Sequence, residues 1–140
     1  MKTINIFISQ PMSSLSKEEI ILIRNHAIKR IMSFYDDKQP LYFIDNLDFT
    51  EGKLPLEYLG KDIKLMAKAD KVYIVDQYFN KKIQGKISYG CEAEIAIAKM
   101  YGYPIYNMNN TLINNELEFL TSDKFKKFYI ENYNEDEISN

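Results

Sequence analysis

Residues 3–35, TINIFISQPMSSLSKEEIILIRNHAIKRIMSFY, decide the fold, because they set a strand and an amphipathic helix in immediate succession. Thr3–Ser9 alternates, is rich in β-branched residues and is closed by Gln10-Pro11, so it reads as a strand. Ser16 and Glu19 then make the S-x-x-E pattern of a capping box. Behind it Ile20, Ile23, Ala27 and Ile31 recur on one face, which predicts a helix from Lys17 to Tyr35.

The same alternation of elements continues along the chain. Leu41–Ile44, after Pro40, is a second strand, and 45–53 (DNLDFTEGK) is a polar loop. Pro55 suits the first turn of a helix running to Ala69, with Leu59, Ile63 and Met66 turned to a core. Lys71–Asp76 (KVYIVD) is a third strand, and 77–90 is a polar loop punctuated by glycine. Gly90–Tyr101 (GCEAEIAIAKMY) predicts a helix rich in small residues, ended by Gly102 at C′. Tyr103–Tyr106 is a fourth strand, and a further helix is predicted around Ser122–Tyr133. The order β-α-β-α-β-α-β predicts a single-domain α/β fold: a three-layer, doubly wound (Rossmann-like or flavodoxin-like) parallel sheet of four to five strands with helices on both faces. The domain takes in residues 1–130. The segment 131–140 (ENYNEDEISN), with four acids and no base, is expected to fray as a tail.

Composition narrows the chemistry. At 140 residues, 46% hydrophobic and 27% charged, the chain suits one soluble domain with one sizeable core. Eighteen basic against twenty acidic residues leave a net charge of −2, which argues against nucleic-acid binding. No apolar run approaches the roughly 20 residues that span a bilayer, and MKTINIFISQPM lacks a signal-peptide pattern, so a cytoplasmic protein is expected. One cysteine (Cys91) and one histidine (His26) exclude an internal disulfide, leave metal clusters without material and argue against zinc and Ser-His-Asp chemistry. No set of the five glycines makes GxGxxG or a P-loop, so no dinucleotide or metal cofactor is expected.

Ligands of open α/β sheets bind at the carboxyl ends of strands, which selects loops 10–15, 45–53 and 77–89. The last leads into a helix whose opening turns carry Glu92 and Glu94. The positive end of a helix dipole is expected to keep such a carboxylate ionised and nucleophilic. Glu94 lies among Ala93, Ala96 and Ala98, small neighbours that leave room for a substrate. Glu92 lies roughly 200° round the helix and points elsewhere.

Three segments resemble the nucleoside 2-deoxyribosyltransferase-like superfamily, which includes the deoxynucleoside 5′-monophosphate N-glycosidases. They are IFISQPMSSLSKEEI, similar to the family's first strand and substrate loop; DIKLMAKAD (62–70) directly before KVYIVD; and Ser88-x-Gly90-x-x-x-Glu94 followed by IAIAKMYGYPIY. The likeness covers about residues 4–106. It implies cleavage of an N-glycosidic bond, by hydrolysis or by 2-deoxyribosyl transfer, with Glu94 attacking the anomeric carbon and Asp62 assisting. Phe7, Ser9, Gln10, Met12, Asp76, Ser88 and Gly90 are then the expected substrate-binding residues. Family members need no cofactor, take a small nucleoside or nucleotide, and assemble as homodimers or larger homo-oligomers whose subunits complete one another's pockets; the polar stretch Asn107–Asn115 suits such a contact. A serine at 88, with Lys81, Lys82 and Lys86 nearby, favours a 5′-monophosphate.

Departures from the family pattern are equally readable. Phe7 stands where a tyrosine is common, Ser13 where the monophosphate enzymes carry arginine, and Glu92 where they have glycine. Gln10-Pro11 replaces a small, flexible pair and implies altered base recognition. The missing tyrosine and arginine favour the alternative of a non-catalytic module that senses or sequesters a nucleotide.

Overall fold

The computed structural model describes residues 1–12, 15–75 and 89–116. Asp76, Lys81, Lys82, Lys86, Ser88 and Ser13, the helix predicted at 122–133 and the acidic tail lie outside these residues. Within them the chain runs β1 (Ile4–Ser9), α1 (Lys17–Met32), β2 (Leu41–Phe43), α2 (Pro55–Met66), β3 (Lys71–Ile74), α3 (Tyr89–Met100) and β4 (Ile105–Tyr106), with a 3-10 turn at Asn114–Glu116. The four strands form one sheet in the order β2-β1-β3-β4. Every neighbouring pair is parallel, with Ile4 opposite Leu41, Phe7 opposite Val72 and Val72 opposite Ile105. The fold is therefore the α/β class that the element order predicts.

Alternation along β1 separates the two layers of helices. Ile6 and Ile8 pack with Ile23, Ala27 and Ile31 of α1, joined by Tyr73 and Val75. Phe7 points to the other face and packs with Val72, Ile105, Met66 of α2 and Ala98 of α3. Fully burying each such side chain is worth roughly 1.5–3 kcal/mol, so the two clusters carry the fold.

The capping box of α1 is present: the Glu19 N–H donates to Ser16 Oγ at 3.1 Å and the Ser16 N–H to Glu19 Oε1 at 3.2 Å. The helix stops at Met32 rather than Tyr35, because the N–H groups of Phe34 and Tyr35 turn back to the carbonyls three residues earlier. Tyr35 then lays its hydroxyl 2.7 Å from that of Tyr73. Helix α2 likewise stops short of Ala69, at Met66. Its buried side chains are Asp62 and Met66, whereas Leu59 and Ile63 are half-buried. The apolar periodicity thus points about one residue away from the true inward face, which carries an acid. Asp70, after Ala69, accepts the Asn5 N–H at 2.8 Å and ties β1 to the start of β3.

Gly102 sits at φ +77° after α3, the left-handed C′ position read from the sequence. The polar stretch after β4 makes several hydrogen bonds within the fold, while Asn109–Leu112 and Asn115 are exposed. Asn114 Oδ1 accepts the Ile105 N–H at 2.7 Å, its Nδ2 donates to the Tyr103 carbonyl at 2.8 Å, and Asn110 Oδ1 accepts from Tyr73 at 2.7 Å.

From β1 the chain moves through α1 to β2, then crosses back through α2 to β3. The helices that come after β1 and β3, α1 and α3, pack on opposite faces of the sheet. That is a topological switch point, where an open α/β sheet leaves a crevice.

Candidate active site

Ser9 ends β1 on the same face as Phe7, and its Oγ donates to Glu94 Oε2 of α3 at 2.7 Å. Asp62 of α2 reaches the same place, and the two carboxyls share a hydrogen bond. Glu94 is 5% exposed and Asp62 8%. Three elements distant in sequence thus converge on one buried acid pair. Above it opens a cleft of about 790 Å³, lined by both acids, by Gln10 and Met12 of the first loop, by Asn46 and Asp48 of the second, and by Leu56 and Leu59 of α2. Gly90 and Ala93 of α3 line it as well, so the small residues around Glu94 do leave space beside the carboxylate.

Electrostatics reverse one expectation. Helix α3 starts at Tyr89, so Glu94 lies beyond the first turn, where the dipole has faded. Burial, followed by the neighbouring Asp62, raises the Glu94 pKa well above its ordinary value. Burial also raises Asp62, although its bond to Glu94 and the charge of Lys61 act against the shift. Two adjacent buried carboxylates resist being ionised together, so the pair favours a singly protonated form.

The expected substrate-binding residues divide. Gln10, Met12 and Gly90 line the cleft. Phe7 does not: its ring is 0% exposed and packs wholly in the core. Ser9, 2% exposed, donates to Glu94 and is not part of the cleft lining. Cys91 is half-buried and lines the cleft. Glu92 is exposed and absent from the lining, as its angular offset from Glu94 predicts. Among the described residues no group of three or more His, Cys, Asp or Glu side chains is arranged to hold a metal ion.

Sequence reasoning selected loop 45–53 but not its working residues. Buried Arg24 of α1 donates from Nη1 to Asn46 Oδ1 at 2.8 Å and from Nη2 to the Ile44 carbonyl at 2.7 Å. Asn46 Nδ2 in turn donates to the Ile8 carbonyl at 3.1 Å, which pins the loop across the end of β1. Burial lowers the Arg24 pKa, and Asp45 works against that shift. Asp48 accepts from Lys53 at 2.7 Å and Lys61 at 3.2 Å, contacts that hold its carboxyl below the usual range. The acid- and amide-rich run DNLD after a strand was the available signal. Arg24→Ala leaves Asn46 and the Ile44 carbonyl without their donor and should cost about 2–4 kcal/mol, read as a lowered midpoint in urea unfolding.

Ser9→Ala removes a donor that favours ionised Glu94. The Glu94 carboxyl should therefore keep its proton to a higher pH, read by NMR titration of its side chain in the two proteins. A serine without influence on Glu94 would leave that titration in place.

Fold and site together define a class: a three-layer α/β domain with a hydrogen-bonded carboxyl pair under a cleft at the switch point. No family model matches the chain, and no curated protein matches it. A similar solved structure is that of a conserved protein from Enterococcus faecalis V583, with 14% identity and a TM-score of 0.48. The match covers 76% of this chain and 63% of that one, so it spans less than two thirds of the neighbour's length. No described helix is long and apolar enough to cross a membrane.

Proposed function

We propose that the protein cleaves the N-glycosidic bond of a deoxynucleoside or its 5′-monophosphate, by hydrolysis or by 2-deoxyribosyl transfer. The observation that carries this reading is the meeting of Asp62 and Glu94, from separate helices, in one hydrogen-bonded pair beneath a cleft. Breaking such a bond builds positive charge on the sugar, and a carboxylate beside the anomeric carbon can stabilise it or bond to it.

The shared proton has a use in this chemistry. It passes from Glu94 to Asp62 as substrate enters, leaving Glu94 anionic. A Glu94 oxygen bonds to C1′ while the bond from C1′ to the base breaks, and Asp62 delivers the proton to the departing nitrogen. Water or a second base then attacks C1′, Asp62 takes up its proton, and Glu94 is released. Ser9 holds the Glu94 oxygen in place throughout and acts as a positioning residue.

The test is chromatographic detection of free base from a panel of deoxynucleosides and their monophosphates. Release with at least one member supports the proposal. Binding without release from any member instead favours a nucleotide-sensing module, the reading that the buried, hydroxyl-free Phe7 supports.

A further inference from the structure

Gln10 is 3% exposed yet lines the cleft. Its Nε2 donates to the Ile20 carbonyl of α1 at 3.1 Å. That bond settles the orientation of the amide, since a flipped group would set oxygen against oxygen. Among the described residues, Gln10 Oε1 is the buried side-chain atom that meets no hydrogen-bond partner. An unpaired buried acceptor is destabilising and is retained where something else completes it.

We infer that Gln10 Oε1 is a specificity-determining acceptor that receives a hydrogen bond from the exocyclic amino group of the substrate base. This rests on the nucleoside reading above. The carboxyl pair commits its own part of the cleft to the sugar. Gln10 belongs to the first loop with Met12, and Met12, Pro55, Leu56 and Leu59 supply the apolar lining that suits a flat ring. With Nε2 already engaged, the glutamine offers only an acceptor, so it favours an amino-bearing base over the same ring carrying hydrogen. A neighbouring Pro11, itself buried, fixes the backbone at this point.

Calorimetry tests this in the Glu94→Gln background, in which turnover is removed. The probes are 2′-deoxyadenosine, the purine deoxyribonucleoside lacking the 6-amino group, 2′,3′-dideoxyadenosine, 2′-deoxycytidine and its analogue lacking the 4-amino group. The amino group should tighten binding of one ring system on the order of ten- to a hundredfold, and Gln10→Met should bring that ratio to within about twofold. The ratio compares ligands on one protein, so partial misfolding of the variant does not alter it, and the first comparison needs no change at Gln10. The inference is overturned by a ratio near one in both ring systems, by a ratio that survives Gln10→Met, or by dependence on the 3′-hydroxyl instead. Failure of every one of these nucleosides, and of their 5′-monophosphates, to bind overturns it together with the functional proposal. Discrimination that Gln10→Met abolishes, in a protein whose unmodified form releases no base, upholds Gln10 and sinks catalysis alone.

Discussion

Glu94→Gln should release base at no more than about a thousandth of the unmodified rate, because the atom that bonds to the sugar is replaced by an amide. The same protein should be more stable at pH 8. Burial and Asp62 raise the Glu94 pKa above its ordinary 4.5, so the folded chain keeps a proton that the unfolded chain releases. The stability this group contributes is fully present below about pH 4.5 and is lost as pH climbs through the folded value. Glutamine is neutral at every pH and removes that loss. Thermal unfolding at pH 8 should therefore show a midpoint roughly 3–8 °C higher, with little change at pH 4. An inactive variant that is less stable at pH 8 would mark Glu94 as a structural carboxylate instead.

Asp62→Asn should slow base release by about a hundred- to a thousandfold, the usual yield of general acid catalysis. The pH profile should also change shape. The unmodified pair works with one proton between two carboxyls, so its rate falls on the acid side as a second proton binds and on the alkaline side as the last one leaves. In the Asp62→Asn protein only Glu94 titrates, and the alkaline limb should disappear. A substrate whose base departs without protonation, such as a 7-methylguanine deoxynucleoside, should lose far less activity than the others. Equal losses on all substrates would assign Asp62 to orientation alone.

The layered architecture was legible because each element carries a local signal. The capping box at Ser16 and Glu19, the alternation of Ile4–Ser9 and the glycine at 102 are short-range features, and short-range physics decides them. The inward face of α2 was not legible. Leu59, Ile63 and Met66 give a convincing apolar stripe, but packing against α3 turns Asp62 inward, since its partner Glu94 is 32 positions away. Periodicity sees hydrophobicity and is blind to a distant acid. The protonation of the pair was missed for a related reason: a helix start predicts an ionised glutamate, and only tertiary burial reveals that desolvation prevails over the dipole. Arg24 shows the same limit, because an arginine on a helix reads as solvated until Asn46 and the Ile44 carbonyl are seen around its guanidinium.

The most direct measurement is mass spectrometry of acid-quenched protein after incubation with deoxynucleosides bearing fluorine at C2′, whose electron withdrawal slows breakdown of a glycosyl-enzyme. The proposed chemistry predicts a mass gain of one fluorinated sugar, mapped by proteolysis to the peptide carrying Glu94 and absent from Glu94→Gln. Base release from ordinary deoxynucleosides with no adduct from any fluorinated one, or with the adduct on another residue, would contradict it.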